Sequence, residues 1–293
     1  MVVFGFWLSG CRQPPETTIL NKILATKEIT VITRNNPWCY YLYHDEPMGF
    51  EYDLSKAFAD YLGVRLKVKV VHRWDRMIPD LLSGEGNFIA ASMTLTPDRP
   101  TQVAFSRGYL PTQQHIIVHR DNLKIKGIED LAGKTVHVTR GTSYHERLKA
   151  LQAAGVKVDI KLHEGLETTE LISMVAEKSI DITIADNLVA MLTNRYYPQI
   201  VLADPINDEE SLGWAVNPKA KKLLKRINSF LSIIQKNGEF DRIYKRYFTG
   251  IDNFDYVNLR AFHREVEDTL PEYLAFTQQF AEQEGFDWRL IAA

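Results

Sequence analysis

The chain has 293 residues, is 45% hydrophobic and 25% charged, and carries a formal net charge of −2. That is enough apolar material for two cores, while the charge balance gives no electrostatic case for nucleic acid, and no nucleic-acid-reading motif is present. No apolar run approaches the roughly 20 residues a membrane-spanning helix needs. Its two cysteines, Cys11 and Cys39, suit no zinc spacing, so neither a metal nor a cofactor is expected.

The first residues read as a processing signal. Met1 to Trp7 is apolar and uncharged, and Leu8-Ser9-Gly10-Cys11 places small residues ahead of a cysteine, as a cleavage site requires. The tetrapeptide resembles the lipobox of bacterial lipoproteins, which implies acylation of Cys11 and a membrane held by a lipid anchor. No Lys or Arg precedes Cys11, a departure from the usual positive start. Arg12 to Glu16 reads as a polar, proline-stiffened tether, and Arg12 after the cysteine implies, by the same resemblance, an outer-membrane site facing the periplasm. Residues 1–27 are assigned to this signal and tether.

A series of alternating strands and helices follows. The β-branched run Glu28 to Thr33 predicts a strand. Asn35-Asn36-Pro37-Trp38 breaks it, and an aromatic cluster including Tyr40 and Tyr41 comes next. Asp53 is placed to cap a helix that ends at Gly63, with Leu54, Phe58 and Leu62 as its buried stripe. Leu66 to Val71 predicts a second strand, and Trp74 opens a helix with Met77, Ile78, Leu81 and Leu82 at helical spacing. Phe88 to Ala91 predicts a third strand. This βαβ order implies a parallel sheet, whose ligands sit beyond the carboxyl ends of the strands.

At such an end lies Ala91-Ser92-Met93-Thr94-Leu95-Thr96-Pro97-Asp98-Arg99. Thr96 with Pro97 predicts a capped helix start. Arg99 offers a planar fork for a carboxylate, with the Thr94 hydroxyl as a neutral donor beside it. The stretch resembles the Met-Thr-x-Thr-x-x-Arg segment of the bacterial family 3 periplasmic solute-binding proteins, a fold shared with glutamate-receptor ligand cores. Gly49-Phe50-Glu51-Tyr52-Asp53-Leu54 resembles that family's Gly-Phe-x-x-Asp-Leu signature, and Asp130-Leu131-Ala132-Gly133-Lys134 its second-lobe turn. The resemblance implies that Thr94 and Arg99, with the neighbouring Ser92, hold a ligand carboxylate. It also implies that Tyr40 and Trp74 supply aromatic surface.

In the second half, Arg140-Gly141-Thr142-Ser143 joins a strand to a helix, and a helix N-terminus is an anion site. Read plainly, Ser143 is an N-cap; in the family, Thr142 and Ser143 close on the ligand carboxylate from the opposite lobe. Ser179 to Asp186 predicts a strand ending in an acid. Asp186 reads either as the N-cap of the next helix or, by the resemblance, as the partner of a ligand ammonium. The expected fold is α/β, a two-lobed type II periplasmic-binding-protein fold with a hinge, followed by a helical tail. Residues 28–250 form the module, with lobe 1 at about 28–115 and 211–250 and lobe 2 at about 116–210. Crossovers are expected near His115 to Arg120 and Asp204 to Ser211.

Residues 251–293 continue with amphipathic helix signals and end in Asp287-Trp288-Arg289-Leu290-Ile291-Ala292-Ala293. This resembles the opening of a lytic transglycosylase domain, and the whole layout resembles the membrane-bound lytic murein transglycosylase F family. That family's Gln-Glu-Ser motif would begin beyond Ala293, so no catalytic residue is assigned, and these residues alone are expected to be inactive on peptidoglycan. The expected function is a ligand-binding regulatory module of such an enzyme. An amino acid, muropeptide or stem-peptide fragment is its ligand, and peptidoglycan is reached through the further domain. The alternative is the amino-acid-binding protein of an ABC transporter. A lyase built on the binding fold has little support, because no additional acid or base has a defined role.

Overall fold

The computed structural model describes residues 18–96, 102–248 and 279–280. Cys11, Arg99 and the tail, apart from the exposed helical pair Gln279 and Phe280, lie outside the described residues.

In chain order the first lobe opens with α1 (Ile19–Thr26), β1 (Glu28–Thr33), a small hairpin of β2 (Tyr41–Tyr43) and β3 (Glu46–Met48), and α2 (Phe50–Leu62). β4 (Arg65–Val70), α3 (Met77–Leu82), β5 (Phe88–Ile89) and β6 (Ala104–Phe105) follow. The chain crosses over through β7 (Leu110–Thr112) into β8 (Gln114–His119). The second lobe continues with β9 (Thr135–Thr139), α4 (Ser143–Ala153), β10 (Asp159–His163), α5 (Thr168–Ala176), β11 (Ile182–Asp186), α6 (Asn187–Asn194) and β12 (Ile200–Pro205). It returns through β13 (Glu210–Leu212) to β14 (Ala215–Val216), α7 (Lys221–Asn237) and α8 (Glu239–Phe248).

Each lobe is built on a five-stranded sheet, ordered β4-β1-β5-β14-β6 in the first and β10-β9-β11-β8-β12 in the second. The βαβ series makes β1 parallel to β4 and β5, and β9 parallel to β10 and β11. The strands next to the crossovers, β8 and β14, run antiparallel to their neighbours. His115–His119, expected to cross between lobes, is therefore an inner strand of the second sheet. The crossing is made a few residues earlier by β7, which pairs antiparallel with β13. This two-stranded ribbon is the hinge.

Apolar burial holds each lobe together. Trp214, fully buried, lies among Phe58, Phe88 and Phe230 with ring centroids 5.0 to 6.3 Å away. In the second lobe Ile116, Val118, Val136, Val138, Ile182 and Ile184 alternate inward from three strands against Leu148 of α4. A further cluster draws on both lobes, joining Trp38 and Ala91 with Leu171 and Val189.

Two helix starts differ from expectation. α2 begins at Phe50 rather than after Asp53 because Gly49, at φ 136°, turns the chain where an added Cβ would lie 2.4 Å from the Cys39 carbonyl oxygen. Asp53 is thereby inside the helix, where it accepts from the Tyr247 hydroxyl (2.8 Å) and Arg246 (2.9 Å) and ties α2 to α8. Trp74 starts a single 3₁₀ turn, with α3 only beginning at Met77.

Candidate functional site

The carboxyl ends of β1, β5, β9 and β11 converge on the space between the lobes, as parallel strands place their loops at one edge. Ser92, Thr142, Ser143, Asp186 and Trp74 line one cavity there, with contributions from both lobes. It measures about 40 Å³, room for only about two or three waters, so the lobes are closed on one another. Thr94 stands beside it, its hydroxyl 3.4 Å from that of Ser143 across the cleft. Tyr40 is not among the lining residues; it packs edge-on against Tyr52 with centroids 5.6 Å apart. Trp74 does line the cavity, and Trp38 and Tyr144 supply the other rings.

The first-lobe loop is held from beneath. Ser92 has φ 51°, a left-handed conformation that residues other than Gly, Asn, Asp and His adopt rarely. Its N–H donates to Glu51 at 2.6 Å. Glu51 is fully buried and also accepts from the Tyr109 hydroxyl and from Trp214 Nε1 at 2.9 Å. Burial pushes its carboxyl above the ordinary range despite these donors. Further along, Leu95 N–H donates to Ser211 and Gly213 N–H to Met93, so the loop rides directly on the hinge segment.

The second-lobe wall is built from helix starts. Thr142, not Ser143, is the N-cap of α4; its hydroxyl accepts from His145 N–H and donates to the Thr139 carbonyl. Gly141 precedes it at φ 80°, and a Cβ there would lie 3.3 Å from both Trp74 Cδ1 and Asp75 Cβ. Glycine is what lets this turn meet the first lobe so closely. Asp186 occupies the N-cap position of α6 but makes no side-chain cap; its carboxylate accepts from Tyr144 at 2.9 Å. Burial and the Asp186 charge push the Tyr144 phenol well up, so it stays a donor.

The strongest link across the cleft involves residues that motif reading passed over. Arg34, at the carboxyl end of β1 and only 2% exposed, pairs with Glu167 at the start of α5. Asn36 Nδ2 reaches the other Glu167 oxygen at 3.5 Å, and the Arg34 guanidinium lies over Trp74 at 5.4 Å. Position at a strand's carboxyl end was the available signal for Arg34. Cys39, beside Ser92, is buried and its thiol pushed far up, so it is no nucleophile. Among the described residues no cluster of His, Cys, Asp and Glu could hold a metal.

The model of the bacterial extracellular solute-binding proteins, family 3, matches residues 29–250. The chain belongs to that family. The module is similar in structure to an ancestral amino acid-binding protein, a precursor of cyclohexadienyl dehydratase. That likeness has TM-score 0.70 and 30% identity and covers 78% of this chain and 99% of the other. An ancestral arginine-binding protein bound to arginine aligns with TM-score 0.69 and 31% identity, over 76% of this chain and 98% of that one. In sequence, the chain is 47% identical over 287 residues to a membrane-bound lytic murein transglycosylase F of Desulfosudis oleivorans, covering 98% of this chain and 63% of the relative. The chain spans about three-fifths of the length of the curated relatives it matches.

Proposed function

We propose that this chain is the ligand-binding regulatory module of a peptidoglycan lytic transglycosylase. In this reading it takes an amino acid or a stem-peptide fragment between its lobes. The observation that carries the reading is the convergence of Thr94, Thr142, Ser143 and Asp186 from two lobes on one closed cleft in a family 3 fold. The Thr94 and Ser143 hydroxyls and the helix N-terminus that Thr142 caps suit a carboxylate, and the Asp186 carboxylate suits an ammonium, so the set matches a zwitterion. Arg99 is assigned the main carboxylate contact. The described residues before it, Met93 and Leu95, bond to the hinge segment at Gly213 and Ser211, so a ligand held by Thr94 would bear on the β7/β13 ribbon. The likeness to lytic transglycosylases over nearly the whole chain favours this reading over a transporter's binding protein.

A lipid anchor on Cys11 would hold the module at the outer membrane, facing the periplasm; several acyl chains anchor firmly where one does not. Peptidoglycan cleavage would belong to the enzyme's further domain, with a glutamate as general acid.

Thermal unfolding with free amino acids and stem peptides tests the site. A ligand at about 100 times its Kd should add roughly 2.7 kcal/mol to wild type, and Arg99→Ala should abolish the shift. Equal shifts in both proteins would remove Arg99 from the site. Ligand-dependent release of anhydromuropeptides by a full-length relative would separate regulation from transport.

A further inference from the structure

Arg34 is an odd element of a small-molecule cleft. Its guanidinium comes from the first lobe, lies over the face of Trp74, and meets the Glu167 carboxylate of the second lobe, with the Asn36 amide on the same acid. An aromatic face beneath a planar cation and a buried carboxylate before it, the acid itself steadied by a donor amide, are the parts of a guanidinium-binding site. Here the cation is tethered to the protein. We propose that Arg34 is a built-in occupant of a guanidinium subsite in the cleft and thereby determines specificity. With it in place, the cleft rejects ligands whose side chain is cationic, because such a group would meet Arg34 and find Glu167 already neutralised. Without it, the same walls accept a guanidinium from solution.

This inference rests on the cleft being a small-molecule site but not on which molecule is natural. Wild type, Arg34→Ala and Arg34→Ala/Glu167→Gln are titrated calorimetrically with L-arginine and with L-citrulline, its uncharged isostere. The inference expects no arginine preference in wild type. It expects arginine to bind Arg34→Ala at least about tenfold tighter than citrulline, the worth of one charge-assisted contact. The double variant should lose that preference. A folded Arg34→Ala without preference, a wild type that already prefers arginine, or a double variant that retains it would each overturn the proposal.

Should Arg34→Ala not fold in buffer, it is refolded with methylguanidinium or with methylammonium. Recovery with methylguanidinium alone, absent when Glu167 is also Gln, supports the subsite; no recovery overturns it. Wild type is titrated in parallel with neutral amino acids and stem peptides. Failure of that arm alone would count against the proposed natural ligand and leave the subsite standing.

Discussion

Glu51 and Glu167 are both buried carboxylates beside the cleft, yet they are satisfied in opposite ways. Glu51 is surrounded by neutral donors from its own lobe and the returning strand: Ser92, Tyr109 and Trp214. None of these contacts crosses the cleft, so opening the lobes leaves them intact. Glu167 takes Arg34 and Asn36 from the opposite lobe, and opening breaks both contacts. One acid fixes the shape of a ligand loop; the other couples the two lobes. The same residue type serves as a rigid post or as a latch according to which side of the hinge its donors stand on.

The comparison is broken most severely by Arg34→Ala. It leaves Glu167 buried and uncompensated, and should cost about 3–5 kcal/mol in urea unfolding. Arg34→Met/Glu167→Gln, which removes both charges, should recover most of that loss. If the double variant is no better than the single one, the pair is not a self-contained latch.

Glu51→Gln comes next, at about 2 kcal/mol, because its new amide faces the Trp214 N–H donor to donor. It also sharpens the contrast through pH. The Glu51 carboxyl is raised by burial, so the folded state holds its proton more tightly than the unfolded chain does. Its stabilising contribution is therefore full below the ordinary carboxylate pKa and is lost as pH rises through the folded value. The stability of wild type relative to Glu51→Gln should therefore fall as pH rises from acid to neutral, whatever the other carboxylates add to both proteins. Identical profiles would mean that Glu51 does not titrate in this way.

Gly141→Ala should cost about 1–2 kcal/mol, from the left-handed φ and the crowding of Trp74. Because that crowding exists only when the lobes are closed, small-angle scattering should report a larger radius of gyration. Trp74→Ala in the same chain should partly restore closure. The smallest effect is expected for Thr94→Val, under about 1 kcal/mol, since its 3.4 Å contact with Ser143 is long and neutral.

Much of the fold was legible because it follows from local rules. The four-residue spacing of Leu54 and Phe58 and the left-handed Gly63 define α2 nearly as read. The β-branched runs give the parallel strands, and chain order places Ser92, Thr142 and Asp186 at their carboxyl ends, where the cleft forms. What local rules could not supply is any relation between distant segments. Asp53 reads as a cap until Arg246 and Tyr247, almost 200 residues later, claim its carboxylate. Tyr40 and Trp74 were equally plausible ring surfaces, and only packing turned one toward Tyr52 and the other into the cleft. His115–His119 has the composition of any strand, and only pairing with β11 and β12 sets it inside the second sheet. Arg34 and Glu167 stand 133 residues apart on different lobes. By itself, the sequence determined the elements and the chemical types gathered at their ends, because propensity and periodicity act over a few residues. The ion pair that closes the cleft was decided by the tertiary structure alone, because its attraction acts only once folding has brought two remote, separately unremarked side chains together and removed the water between them.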